Sequence, residues 1–497
     1  MYMRKVMEMQ IKIGEVAIED ICFDLKSRDE LTKVLIGLQH IYYNKNLRDE
    51  IFNILKDLIP EGVNPNNGRR GMDLWKIFVL GNIKLICNWD FDKLKEIADN
   101  HKNLRRMLFH PDYDETIYPL QTIKDNIELF TPKILDRINV VVVKAGHKAL
   151  GKKGEVDLNG SCDSFVVETD VHYPTDSNLL FDAIRKMISI TAVVCSEIGV
   201  TEWRQSHHLI LKVKRMLREI QILRKSTSKD DNKKAERENK IIEINQEYID
   251  LCQSLVDRAK KTIKIIDEME VLTIIQGVKI LEVEKYIKDA ERQIDQISRR
   301  VINGEVIPHE EKVFSLFERH TEWISKGKAG VPQELGIRVC ILKDQFGYTL
   351  YHHVMEKETD DKIALKMVNE AKDKFSELTS CSFDKGFHSP DNKKELGKVL
   401  NFVILPKKGK LSEKDKEIEH SEEFIQGRRK HSAVESAINA LENHGLDRCL
   451  DHGIDGFKRY VGLSIVARNL QILGDTIQQE EIRKQKIREA LQYKKAS

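Results

Sequence analysis

No proline occurs in the 133 residues between Pro174 and Pro308. A proline inside a helix removes a hydrogen bond and clashes with the preceding turn, at about 3 kcal/mol, so a span this long without one is free to form long helices. Three stretches within it, HHLILKVKRMLREIQILRK, ERENKIIEINQEYIDLCQSLVDRAKKTIKIIDEMEVLTI and VEKYIKDAERQIDQISRRVI, repeat apolar residues at helical period among charges of both signs. KSTSKDDNKK breaks the first two as a hairpin loop. The span 201–310 therefore reads as a long antiparallel helical insertion, partly coiled-coil-like. Its apolar stripes would contact DNA or a second subunit, or pack only on one another. The charge pattern does not choose between these.

The texture on either side differs. SCDSFVVE reads as a strand, and ELGIRVCILKDQFGYTLYHHVM as a β-hairpin turning near Asp344 to Gly347. DDKIALKMVNEAKDKF is an amphipathic helix, LTSCSFDKGF a strand running into a loop, DNKKELGKVLN a helix, NFVILPK a short buried strand, and HSAVESAINALENHG a helix ending at Gly445. The order β, helical insertion, β, β, α, β, α, β, α predicts an α/β fold with a mixed sheet covered by helices. Residues 1–150 read as a separate helical module. PEGVNPNNGRRG is a loop, and the helix after it, from about Met72, carries Trp75, Phe78, Val79 and Ile83 on its apolar side. FDKLKEIADNHKNLRRML is a further helix ending in Lys102, Arg105 and Arg106. The sheet domain is then expected in two parts, 151–200 and 311–475, with a charged tail at 476–497.

Charge sets limits on partners. Lys plus Arg is 82 against 80 for Asp plus Glu, a net +2, so any DNA-binding surface must come from local clusters. The longest apolar runs, VLIGL and NVVVV, are too short to span a bilayer. MYMRKVMEMQIKIGEVAIED lacks the apolar core and cleavage site of a secretory signal, and a cytoplasmic protein is expected. Eight cysteines from Cys22 to Cys449 include no C-x-x-C pair. That argues against a zinc ribbon or disulfide framework and for reduced, mostly buried thiols.

Three acids stand where acids are not expected. Asp163 begins the apolar run of the first strand, Asp384 ends another strand, and Glu435 lies on an amphipathic helix. Aspartate is depleted in strands. Two aspartates leaving strands and a glutamate on a later helix can hold a pair of divalent cations for in-line phosphoryl transfer. The bland alternatives are a turn acid near Gly160 for Asp163, an Asp turn before Lys385-Gly386 for Asp384, and a surface glutamate for Glu435. Asp170 and Asp176 compete for the first station, but they lie in a turn-like segment around Pro174. Adjacent histidines at 207–208 and 352–353 have no matching ligand spacing and read as surface or packing residues.

In that order the chain resembles the RNase H-like catalytic domain of insertion-sequence DDE transposases. CDSFVVET with HYPTDSNLL resembles the family's first-aspartate block, SFDKGFHSPDN its second, and HSAVESAINALENHGLDRCLDHGIDGFKRYVGLSIVARNLQILG its glutamate block. WISKGKAGVPQELGIRV resembles the entry to the second strand, and NNGRRGMDLWKIFVLGNIKLICNWDFDKL the family's helical N-terminal module. The resemblance covers most of the chain apart from the helical insertion. It implies that Asp163, Asp384 and Glu435 are the catalytic, metal-binding trio for two Mg²⁺ ions, with Mn²⁺ able to substitute. It also implies cleavage at terminal inverted repeats, strand transfer into target double-stranded DNA, and a homodimer or larger assembly on DNA. A non-catalytic DNA-bridging protein on the same scaffold is the alternative. Where many relatives carry Y-x2-R-x3-E-x6-K, this chain has Arg428, His431 and Glu442 around Glu435. Candidate DNA contacts are Arg69, Arg70, Arg105, Arg106, Lys407, Lys408, Arg428, Arg429, Lys430 and His431. The mixed-charge stretch PKKGKLSEKDKEIEHSEEFIQGRRK is expected to be a mobile segment that orders on DNA.

Overall fold

The computed structural model describes all residues except 1, 8–12, 60–61, 63–68, 152–156, 226–229, 270–271, 326–332 and 497. The chain divides into two compact units, one made of 1–170 with 322–497 and the other of 171–321.

The first unit opens with β1 (Tyr2–Met3), α1 (Glu30–Tyr43), α2 (Lys45–Lys56), β2 (Arg69–Arg70), α3 (Leu74–Ile86), α4 (Phe91–Asn100), α5 (Lys102–Met107), α6 (Leu120–Ile127) and α7 (Pro132–Ala149). α3 is apolar almost all round and sits in the core, with Trp75, Phe78, Val79 and Ile83 fully buried. The expected single helix from Phe91 to Leu108 is two helices. His101 leaves the helical region and its ring accepts the Leu104 N–H, capping α5.

β3 (Leu158–Thr169) enters the sheet. Within the second unit follow α8 (Asp176–Glu197), α9 (Ser206–Lys225), α10 (Asp231–Asp267) and α11 (Ile274–Ile297). Asp230 caps α10, and Thr273 with Gln276 forms a capping box on α11. These four helices share one core that includes Leu180, Ile184, Tyr248, Val256, Val283 and Ala290. The Tyr248 hydroxyl donates to the Ser177 carbonyl, and the Trp203 indole N–H to the Thr262 hydroxyl at 2.9 Å. The insertion is thus a helical bundle that begins at Val171, about 30 residues before the expected boundary of 201, because α8 belongs to it. Of the expected hairpin loop, residues 226–229 lie outside the described residues, and 231–234 already belong to α10.

The chain returns with β4 (Glu322–Ser325), β5 (Gln333–Lys343), β6 (Thr349–Met355), α12 (Asp360–Lys374), β7 (Leu378–Phe383), α13 (Pro390–Val399), β8 (Phe402–Ile404), α14 (Glu413–Glu419), α15 (Glu422–His431), α16 (Ala433–Leu441), β9 (Arg448–Cys449) and α17 (Gly453–Ala496). The seven-stranded sheet is mixed. β5 is antiparallel to β3, β4 and β6, whereas β7 is parallel to β3 and to β8. β9 pairs with the far end of β3. Period-2 alternation of β3 feeds two cores. Leu158 and Cys162 pack with α12 and α13, and Phe165 and Val167 pack with α16 and α17.

The N-terminal helices are not the separate domain that the sequence suggests. Residues of α1, α3 and α7 share a single core with Phe165, Val167, Ile337 and α17. Nor is 476–497 a tail apart, since α17 continues through it to Ala496. The mixed-charge stretch before Glu435 is helical as well. Ser412 caps α14 with Asp415 as a capping box, Ser421 caps α15, and Phe424 is buried. All eight cysteines are free thiols, six of them buried. Among the described residues, no helix is long and apolar enough to cross a membrane.

Candidate active site

β7 and β3 run parallel in the register Ser161↔Ser382 and Cys162↔Phe383. The Ser382 hydroxyl donates to the Ser161 hydroxyl at 3.0 Å, so these two side chains share one face of the sheet. The paired register ends at Phe383; continued by one residue it would set Asp163 opposite Asp384, which lies just beyond β7 and whose charge acts on Asp163. Asp163 lies inside the central strand, not at its start, and Asp384 is where β7 leaves the sheet. Glu435 comes from α16, whose Val434 and Ile438 pack into the core with Phe165 and Val167 and so fix the helix over this face.

Asp163 is half-buried and its carboxyl is pushed up to about 6, first by burial and then by the charges of Asp384, Asp360 and Glu435; the Ser164 N–H, 2.8 Å from Oδ1, opposes the rise. Asp384 and Glu435 are exposed, so the cluster opens to solvent. Among the described residues, no three His, Cys, Asp or Glu side chains converge closely enough to hold a metal ion as they stand. The trio therefore share an electrostatic neighbourhood and not a finished coordination shell. Its donors are all carboxylate oxygens with net repulsion between them, a set whose chemistry fits a hard divalent cation.

Asp360 gives no signal in the sequence beyond an acid at a helix start. It begins α12 and accepts from the Ser164 hydroxyl at 2.7 Å. A Cβ on Gly386, just after Asp384, would lie 3.0 Å from Asp360 Oδ2. Asp360 thus bonds to the residue after Asp163 and packs close against Gly386 in the turn after Asp384.

The basic candidates separate. Arg428, Arg429 and Lys430 are exposed in the last turn of α15, and Lys408 is exposed after β8. His431, read as a DNA contact, instead places Nδ1 3.0 Å from the Ser382 hydroxyl. Burial lowers its pKa against the pull of Asp384 and Glu435, which favours a neutral ring that positions Ser382 over a cation that grips phosphate. Lys407 is ion-paired to Asp415, and Arg106 holds Asp112 through both Nε and Nη2 at 2.8 and 2.6 Å. Arg69 and Arg70 form β2 against β1, and their side chains lie outside the described residues.

Arg105 is not available to DNA. It is 9 % exposed, and its guanidinium donates to the carbonyls of Asp99, Thr116 and Asp114. Arg105→Ala is expected to cost about 2–4 kcal/mol by stranding those acceptors. Denaturant unfolding should read that loss, with DNA affinity unchanged at temperatures where the variant is folded.

The raised Asp163 pKa sets a pH dependence. Its folded value of about 6 exceeds the ordinary 3.8, so the native state binds the proton more tightly. Stability accordingly falls as pH rises through this window, and the cost persists above it. Asp163→Asn is expected to be more stable than the parent at pH 8, by about 1–2 kcal/mol after allowance for solvent screening. The gap should close near pH 4, and thermal melts at the two pH values check both.

No protein-family model matches the chain, and no curated protein or solved structure matches it.

Proposed function

We propose that the chain is a DDE transposase with an RNase H-like catalytic core, cutting DNA at the ends of a mobile element and joining the freed 3′-hydroxyl to target DNA. The observation that supports this reading is the register of β3 and β7, which, continued one residue past its last pair, brings Asp163 beside Asp384, with Glu435 on α16 adding its charge to the same neighbourhood. The strand order β6-β5-β3-β7-β8, antiparallel on one side of β3 and parallel on the other, supports the fold half of the proposal. Asp163, Asp384 and Glu435 would hold two Mg²⁺ ions, which supply Lewis-acid stabilisation of the attacking and leaving oxygens when bound. The exposed turn Arg428-Arg429-Lys430 holds a DNA phosphate beside them, and His431 orients Ser382. Asp360 anchors the Ser164 hydroxyl next to Asp163. Assembly as a homodimer or larger complex on paired ends is part of the proposal. The exposed apolar residues Ile274, Ile275, Val278 and Leu281 on α11 suit a subunit contact.

One observation favours a second reading, a DNA-bridging protein without catalysis: the acids do not converge as they stand. The test is incubation of the full chain with Mg²⁺ or Mn²⁺ and DNA carrying the ends that flank its coding region. Nicking that exposes 3′-hydroxyls and joins them to a second duplex supports the transposase. Tight binding to those ends without cutting under either metal supports the bridge.

A further inference from the structure

Lys343 is the last residue of β5, paired with Ser161 on β3 and Thr349 on β6. It is 7 % exposed. Among the described residues, no carboxylate lies within ion-pair distance of its ammonium, and no hydrogen bond engages it. The adjacent Asp344 is used elsewhere: Oδ1 accepts the N–H groups of Phe346 and Tyr348, each at 2.9 Å, and Oδ2 lies 2.6 Å from His147 Nε2. Burial of much of its side chain lowers the Lys343 pKa, with the neighbouring Asp344 charge opposing.

Lys343 lines a cavity of about 560 Å³ beside the acid cluster. Its floor is an unusually polar stretch of sheet, with the hydroxyls of Ser161, Ser380 and Ser382. Its roof is α15, which contributes Lys430 and lies so close to β8 that a Cβ on Gly427 would sit 2.3 Å from Ile404. Two hydroxyls are held in place, Ser382 by Ser161 and His431, and Ser380 by Asn159. Ser161 precedes Asp163 by two residues, about 6.6 Å along a strand. That spacing is comparable with the step from one phosphate to the next along a nucleic-acid strand. Glu423 at the rim is an exposed opposing charge.

We propose that this cavity is a phosphate-binding subsite anchored by Lys343, holding a phosphoryl group next to the one at the acids. The proposal rests on the reading of the acids as a phosphoryl-transfer centre. The group belongs to a DNA strand or to a free phosphate compound, and the two sources share the same recognition: the Lys343 ammonium, the Ser161 hydroxyl, which accepts from Ser382 and keeps its own proton to donate, and Lys430.

The test uses the full chain as wild type, Lys343→Gln and Lys343→Arg, with circular dichroism to establish folding. The probes are a fluorescein-labelled DNA duplex, followed by anisotropy across a salt series, and inorganic pyrophosphate, followed by thermal shift. Lys343→Gln is expected to bind the duplex about tenfold more weakly and to lower the salt slope by about one, whereas Lys343→Arg keeps the slope. That result upholds the subsite with DNA as its source. If wild type ignores the duplex but is stabilised by pyrophosphate and Lys343→Gln is not, the subsite stands with a free phosphate compound, and the transposase reading fails. If wild type and Lys343→Gln bind both probes equally, or wild type binds neither, the subsite is overturned; equal duplex binding leaves the transposase reading intact. Without ligand, Lys343→Gln is expected to melt at or above the wild-type temperature. A large fall would mark Lys343 as structural and overturn the proposal.

Discussion

Replacing Asp163 or Asp384 by Asn, or Glu435 by Gln, is expected to reduce metal-dependent cleavage of transposon-end DNA by at least about a thousandfold while leaving DNA binding within a few-fold of wild type. The size follows from the role. A carboxylate that holds a metal in an in-line displacement acts on the transition state, where the loss of one oriented charge costs several kcal/mol. Retained binding is expected under the proposed roles, since the exposed basic turn at the end of α15 lies on a different element from the two aspartates. The three variants should not behave alike in the absence of metal. Asp163 is the half-buried member whose ionisation opposes folding, so Asp163→Asn should gain stability at neutral pH. Asp384 and Glu435 face solvent, and their variants should melt close to wild type. Loss of cutting together with this stability pattern would separate a chemical defect from a folding defect. Single-turnover cleavage and thermal melts on the same preparations measure both.

Gly474→Val is expected to prevent stable folding, with a cost of about 4 kcal/mol or more. Gly474 lies within the long helix α17, where a glycine without a packing role would only weaken the helix by about 1 kcal/mol. A Cβ there would stand 1.8 Å from the Lys33 carbonyl oxygen, and a Cβ on Gly37 would stand 2.5 Å from the carbonyl oxygen of Leu470. The backbones of α1 and α17 therefore touch through two glycines, and no rotamer change relieves the overlap. Because this crossing joins the N-terminal helices to the C-terminal helix that packs beside the sheet, its loss should unfold the whole first unit in one transition. Soluble yield and the urea midpoint of Gly474→Ala and Gly474→Val, in increasing order of damage, are the measurements. Equal stability of Gly474→Val and wild type would refute the shared core.

The contrast between those two predictions shows what the sequence makes legible. The hairpin 333–355, β7, α12 and α13 follow from local period and turn chemistry, and the structure has each close to its expected place. The acids were visible because aspartate at a strand is locally anomalous. The roles of Gly474 and Gly37 were invisible, since a close helix crossing depends on a partner more than 400 residues away. Arg105 failed for a related reason: a charge pattern cannot distinguish a solvated arginine from one whose guanidinium is wrapped by three carbonyls. Asp360 looked like an ordinary helix-start acid, and only the hydrogen bond from Ser164 joins it to the site. The mixed-charge stretch before Glu435 reads as mobile because charged residues of both signs dominate it. Its serine caps and the buried Phe424 make it helical.

The most direct measurement is the anomalous scattering of Mn²⁺ in crystals of the full chain grown with DNA carrying its flanking ends. Manganese peaks bounded by the carboxylates of Asp163, Asp384 and Glu435, with a phosphate of the DNA at the same peaks, are the expected result. DNA seated on the protein with no manganese between those three acids, at concentrations that saturate metal-dependent nucleases, would contradict it.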